Sequence, residues 1–153
     1  MPYQFGRSSR ERLDTCHPDL RLIFTEALAH SPVDFGISEG VRTEAKQLEY
    51  FLAGKSRLDP RVPEQRAKCR HLPNEDGLSM AVDAYAWVPG KQNLAYDMKH
   101  LSLIAGVVLS TASTLYNAGA ISHRLRWGGN WDGDGEIVTD QSFNDLPHFE
   151  LVT

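Results

Sequence analysis

The sequence predicts a single α+β domain spanning residues 1–153. Three observations carry that expectation. The 153 residues are 41% hydrophobic and 24% charged, enough apolar material for one buried core. Helical stripes and short strand-like runs both occur, separated by Pro, Gly and Asp turn signals. No internal repeat, low-complexity tract or linker divides the chain.

Ser8 or Ser9 is placed to cap a first helix, and Pro18 to open a second at its first turn. In that second helix Leu20, Ile23, Phe24, Ala27 and Leu28 fall at i, i+3, i+4, i+7 and i+8, a core-facing stripe. Ser31-Pro32 stops it, and Asp34 to Ser38 reads as a short strand. A third helix runs from about Thr43 to Ala53, closed by Gly54 just beyond its end. Lys55 to Ser79 has no apolar periodicity and holds Pro60, Pro63 and Pro73, so it reads as a loop; loops this long in compact domains are usually functional. A strand from Met80 to Trp87 follows, then a turn at Pro89-Gly90. Asp97 caps the longest helix, which ends at Gly119. Ile121 to Trp127 is a further strand, Gly128 to Gly135 a Gly/Asp-rich loop, and His148 to Val152 the last strand.

Net charge is −4 with a pI near 5.8, and no Lys/Arg run makes a nucleic-acid footprint, so no nucleic-acid partner is expected. Met1 to Arg7 lacks the apolar stretch of a secretory signal. Leu101 to Ala112 is too short and too Ser-rich for a bilayer span, so no membrane insertion is expected and synthesis is assigned to a cytoplasm. Cys16 and Cys69 form neither a disulfide framework nor a zinc-finger spacing. Cys69 stands two residues before His71, so a thiolate ligand or nucleophile stands beside the commoner reading of a small buried cysteine.

Asp83 is the one charge in Met80–Trp87. A carboxylate in a run that reads as buried is costly unless it is paired, hydrogen-bonded or bound to a metal. Alternation puts Ala81, Asp83, Tyr85 and Trp87 on one face of their strand, and His148, Glu150 and Val152 on one face of theirs. Were these strands neighbours, Asp83 and His148 would project into one cleft, with His71 reaching in from the loop. Two histidines and one carboxylate make a three-ligand zinc site with a position left open. The plain alternative is a loop-capping Asp83 and two ordinary histidines, since no short metal motif such as HExxH is present.

Asp145 lies three residues before His148, across Leu146-Pro147. A zinc hydrolase needs a carboxylate that is not a ligand, placed to take a proton from the attacking water. Ordinary turn chemistry at Asn144-Asp145 is the alternative. Arg42 follows a strand and precedes a helix, where its guanidinium would clamp a carboxylate or steady an oxyanion, or else form a surface salt bridge.

Five segments stand in the order seen in LAS-type zinc peptidases: Glu39-Gly40-Val41-Arg42-Thr43, Arg70-His71, Ala81-Val82-Asp83, Trp127-Gly128-Gly129-Asn130-Trp131 and Asp145-Leu146-Pro147-His148-Phe149-Glu150-Leu151. From about Phe5 to Val152 the chain resembles phage endolysins that act as L-alanyl-D-glutamate peptidases, relatives of VanY-like D,D-carboxypeptidases. The resemblance implies a small antiparallel sheet flanked by helices, the LAS/hedgehog-like D-Ala-D-Ala peptidase fold. It makes His71, Asp83 and His148 the Zn2+ ligands, Asp145 the catalytic acidic residue and Arg42 the substrate-facing arginine. It implies hydrolysis of the L-Ala–D-Glu bond in the bacterial peptidoglycan stem by a monomeric phage lysis enzyme, acting in the periplasm and wall after membrane permeabilisation. D,D-carboxypeptidase trimming of terminal D-Ala, or a zinc-containing binding module without catalysis, are the alternatives.

Eleven residues, Leu72 to Val82, separate His71 from Asp83, more than the family usually has, and Ser79 stands where it has a glycine. Pro73 to Gly77 would bulge outward as a turn and leave the ligands in register, with Cys69 the substitute ligand otherwise. Asp132-Gly133-Asp134-Gly135-Glu136 resembles half a calcium loop without the EF-hand spacing, and reads as an ordinary turn. Some relatives are calcium-modulated at a similar loop, so Ca2+ enters as a modulator by resemblance. Trp87, Trp127 and Trp131 belong either to a substrate groove or to the core.

Overall fold

Residues 2–153 are described by a computed structural model. Strands β1 (Phe35–Glu39), β2 (Ala81–Ala86), β3 (Arg124–Gly128) and β4 (Asp145–Val152) form an antiparallel sheet in the order β1-β2-β4-β3. Around it lie α1 (Arg7–Leu13), α2 (Pro18–His30), α3 (Glu44–Leu52), α4 (Pro63–Lys68) and α5 (Met98–Asn117). The α+β architecture is the one expected, a small antiparallel sheet with helices beside it.

Alternation on the two central strands sorts the sheet into two faces. Val82, Ala84 and Ala86 of β2 and Phe149 and Leu151 of β4 join the core with the α2 stripe, Leu20, Ile23, Phe24, Ala27 and Leu28. Phe24 meets Phe149 edge-on, with ring centroids 5.4 Å apart. Full burial of each large apolar side chain contributes about 1.5–3 kcal/mol. Helix α5 adds Leu101, Ile104, Ala105, Val108 and Ala112 to the same core. By length and composition alone this helix would also pass for a membrane span. Asp83, His148 and Glu150 stand on the opposite strand positions.

Local signals set most helix ends. Thr43 caps α3 by accepting from Lys46 N, and Asp97 caps α5 by accepting from His100 N. Gly54 and Gly119, both at φ 74°, close those helices. Several boundaries differ from expectation. Helix α1 starts after Gly6 without a side-chain cap, because Ser9 is drawn inward and its Oγ accepts from Ile37 N of β1. The 55–79 stretch is not wholly loop: α4 forms behind Pro63, but it buries no residue, so no apolar period announced it. Strand β3 begins at Arg124 rather than Ile121, since Ser122 and His123 donate to the Asp19 carboxylate instead of to a strand.

The ladder between β3 and β4 breaks at one place that matters. Trp127 pairs with Phe149, but Gly128 pairs with Asp145, so Leu146, Pro147 and His148 bulge out of register. Pro147 cannot donate to a ladder, which makes the bulge its natural site. The strand therefore starts at Asp145, three residues earlier than the sequence suggested. A side chain at Gly128 would collide with the Asp145 carbonyl oxygen, so only glycine permits this close approach.

Candidate metal centre

Asp83 and His148 are direct cross-strand partners on the central strands. Asp83 Oδ1 lies 3.1 Å from His71 Nε2 and 3.2 Å from His148 Nδ1, and one ligand atom from each of the three residues lies within 4.8 Å of the others. The long interval from His71 to Asp83 leaves this cluster intact. Asn74 folds its own loop: its Oδ1 accepts from Asp76 N and Leu78 N, its backbone N–H donates to Leu78 O, and Gly77 turns at φ 78°. Below the turn Met80 N donates to Arg70 O, so the extra residues bulge outward. Cys69 takes no part: its thiol is buried and donates to Gln47 Oε1 at 3.2 Å.

The outer nitrogen of each ring is already engaged. His71 Nδ1 lies 2.8 Å from Gly40 O, and Arg42 N donates back to His71 O, which locks the loop histidine to the segment after β1. His148 Nε2 lies 2.8 Å from Glu150 Oε1. Those acceptors take N–H from the outer nitrogens, so the inner nitrogens converge on one carboxylate oxygen and would turn lone pairs to a cation once deprotonated. The arrangement fits a divalent cation: two imidazoles and a carboxylate, with their tautomers fixed from outside.

The electrostatics agree with the geometry. Burial alone would raise the Asp83 carboxyl, but the two histidines overcome it and hold it far below the usual carboxylate range. Burial works against charge on His148, yet Asp83 and Glu150 push its pKa up to about 10. Glu150 is held low against burial by hydrogen bonds from His148 and Arg126. Its role was missed in the sequence, although alternation had put it on the His148 face. Arg126 Nη2 donates to Glu150 Oε2 at 2.7 Å.

Asp145 faces the same groove, and its carboxylate makes no hydrogen bond or ion pair with the described residues. Burial raises its pKa above the ordinary range. Arg42 is more confined than a free clamp. Its guanidinium makes a fork on Glu39 (2.6 and 2.9 Å) and donates to Gln47 Oε1 (2.7 Å), engaging three of its five N–H donors. Of the tryptophans, Trp127 is core and donates to Leu146 O, Trp87 is exposed, and Trp131 lines the groove. Trp131 stacks on Phe143 and tilts against the His148 ring at 5.7 Å. The groove measures about 1110 Å³ and is lined by Tyr50 and Thr153 as well as by the cluster.

Two other clusters differ in kind. His17, Asp19 and His123 also gather within 4.8 Å. There, however, Asp19 Oδ2 accepts from Ser122 N, His123 N and His123 Nδ1, and His17 Nδ1 caps α2 by accepting from Asp19 N. Those atoms are consumed in latching α2 to the approach to β3. Asp132, Asp134 and Asp140 are exposed, and Asp132 and Asp134 each accept from a backbone N–H two residues on, as turn residues do. Nothing beyond the carboxylates themselves marks a calcium site there.

The family model for phage L-alanyl-D-glutamate peptidase matches residues 1–152. The L-alanyl-D-glutamate peptidase of Escherichia phage T5 is 28% identical over 155 residues, covering 99% of this chain and all of the relative. The crystal structure of Serratia marcescens L-Ala D-Glu endopeptidase ChiX superposes with a TM-score of 0.69 at 29% identity, covering 97% of this chain and 90% of that one.

Proposed function

The chain belongs to the phage L-alanyl-D-glutamate peptidase family, and from that premise we propose that it is a zinc-dependent peptidoglycan endopeptidase cutting the L-Ala–D-Glu bond of the peptide stem. One observation carries the reading: His71, Asp83 and His148 converge in a groove that also holds an unpaired, burial-raised Asp145. His71, Asp83 and His148 would hold the zinc, which would supply Lewis acidity toward the scissile carbonyl and the attacking water.

The chain's own residues do the rest. Asp145 takes the proton of the attacking water and returns it to the departing amine, a role that suits a carboxyl whose pKa is already raised. Glu150 and Gly40 hold the two rings by their outer nitrogens so that the inner nitrogens face the metal position. Arg42, fixed by Glu39 and Gln47, turns its remaining N–H donors to the charge that develops on the substrate. Residues 1–153 act as one catalytic domain and as a monomer. The enzyme meets the bacterial wall as a phage lysis protein, after the membrane is permeabilised.

Muropeptide digestion with and without a chelator, analysed by mass, tests this reading. The expected result is release of the peptide from the L-Ala side, abolished by chelator and restored by zinc. Loss of a single terminal Ala would make the protein a D,D-carboxypeptidase. Stoichiometric zinc without turnover would make it a binding module.

A further inference from the structure

The chain is acidic overall, with 20 carboxylate and 16 Lys/Arg side chains, yet its groove is not. Six Lys/Arg and four Asp/Glu side chains line it. Three of the four carboxylates have partners within the groove: Glu39 pairs with Arg42, Glu150 with Arg126 and His148, and Asp83 lies between the two histidines. Only Asp145 remains free among the acids. On the basic side Lys55, Arg57, Lys68 and Arg70 have no carboxylate within salt-bridge distance among the described residues. Surplus positive charge is thus concentrated in the groove of a net-negative protein, where low-dielectric walls focus its field on a ligand.

Those four cations sit on two segments held by one side chain. Gln47 is fully buried, and its Nε2 donates to Ser56 Oγ (3.0 Å) and Leu58 O (2.8 Å), on either side of Arg57. Its Oε1 accepts from Cys69 Sγ, between Lys68 and Arg70. Arg57 is further placed by its guanidinium, which lies 5.4 Å over the Phe143 ring. Phe143 stacks on Trp131, and Trp131 abuts His148, so an unbroken run of contacts joins the Arg57 charge to the metal cluster. A cation placed in this way along the groove supplies specificity toward an anionic substrate.

We propose that Lys55-Arg57 and Lys68-Arg70 form an anion subsite that reads the carboxylates of the peptide on the glutamyl side of the scissile bond. The proposal rests on the endopeptidase reading above and names what that groove prefers: an acidic stem over one whose carboxyls are amidated. Where the stem continues through the side-chain carboxyl of glutamate, its α-carboxylate is one carbon from the scissile nitrogen.

The test pairs two synthetic stem peptides, identical except that the glutamyl α-carboxyl is free or amidated, with metal-loaded wild type, Arg57→Gln, Lys68→Gln and the double variant. Arg57 and Lys68 are exposed, so both substitutions are compatible with folding. Wild type should cleave the free acid about tenfold or more faster in kcat/KM, the usual worth of a hydrogen bond to a charged group. The ratio should fall toward one in the double variant, and Arg57→Lys should restore part of it. Equal cleavage of both peptides by wild type, or a ratio that survives in the double variant, overturns the subsite. Cleavage of neither peptide would refute the endopeptidase reading instead. The subsite is then read from calorimetric binding of the same two peptides: preference for the acid that vanishes in the double variant supports it, and equal affinity overturns it.

Discussion

Glu150→Ala is the perturbation that most directly probes how the metal cluster is organised. Glu150 Oε1 accepts from His148 Nε2 at 2.8 Å, and both side chains are nearly inaccessible, with exposures of 7% for Glu150 and 10% for His148. Water cannot easily replace the lost acceptor, so His148 keeps an unsatisfied buried N–H or rotates. A hydrogen bond to a charged group contributes about 1.5–3 kcal/mol, and at about 1.4 kcal/mol per decade its loss predicts about a ten- to hundredfold weaker zinc affinity. Arg126 also loses a partner, but its side chain is 42% exposed and that pair adds little. Competition against a chromogenic chelator measures the affinity, with Arg126→Ala as the control for the exposed half of the network. Glu150→Gln keeps an acceptor without the charge and should fall between Glu150→Ala and wild type. If folded Glu150→Ala bound zinc within about twofold of wild type, the claim that Glu150 fixes the His148 tautomer would be refuted.

Asp145→Asn should keep zinc affinity near wild type while lowering kcat by about a hundredfold or more, since the amide cannot accept a proton; single-turnover kinetics on muropeptides with metal analysis decides it. With a metal-free pKa of about 10, His148 is protonated at neutral pH, so zinc must displace a proton. Calorimetry in buffers of different ionisation enthalpy should find that release, and affinity should rise with pH until the range near that pKa is reached. Asp19 is held low, because hydrogen bonds from His123 and Ser122 and the charge of His17 overcome the effect of burial. Its contribution to stability is therefore present above the unfolded carboxylate pKa and lost as pH falls through the lower folded value, so Asp19→Asn should shrink the fall in Tm between neutral and acidic pH. Gly128→Ala should lower both Tm and activity, because its Cβ would meet the Asp145 carbonyl and push the catalytic strand end aside.

How much of this was legible in the sequence depends on whether a feature is written in side chains of fixed period or in backbone brought from afar. The α2 stripe, the Asp97 cap and the Gly54 helix end are local, and the structure repeats them almost residue for residue. The neighbouring of Asp83 and His148 was conditional on two strands pairing, which alternation allows but cannot demand. Features that escaped notice lack a side-chain signature. His71 is oriented by Gly40 through a carbonyl oxygen that any residue carries, and glycine is required there by Arg12 and Thr15, which crowd the position where a Cβ would stand. Gln47 looks like one more polar residue on an exposed helix, yet it is the only buried side chain of α3 and ties Arg42, the 56–58 segment and Cys69 together. From sequence the last strand starts at His148, with a turn at Asn144-Asp145 as the alternative; in the structure it starts at Asp145, and a three-residue bulge accommodates Pro147. That bulge also explains why the acid and the last histidine stay three residues apart while sharing one groove: with the ladder interrupted, the period-2 rule that would send Asp145 and His148 to opposite faces no longer applies.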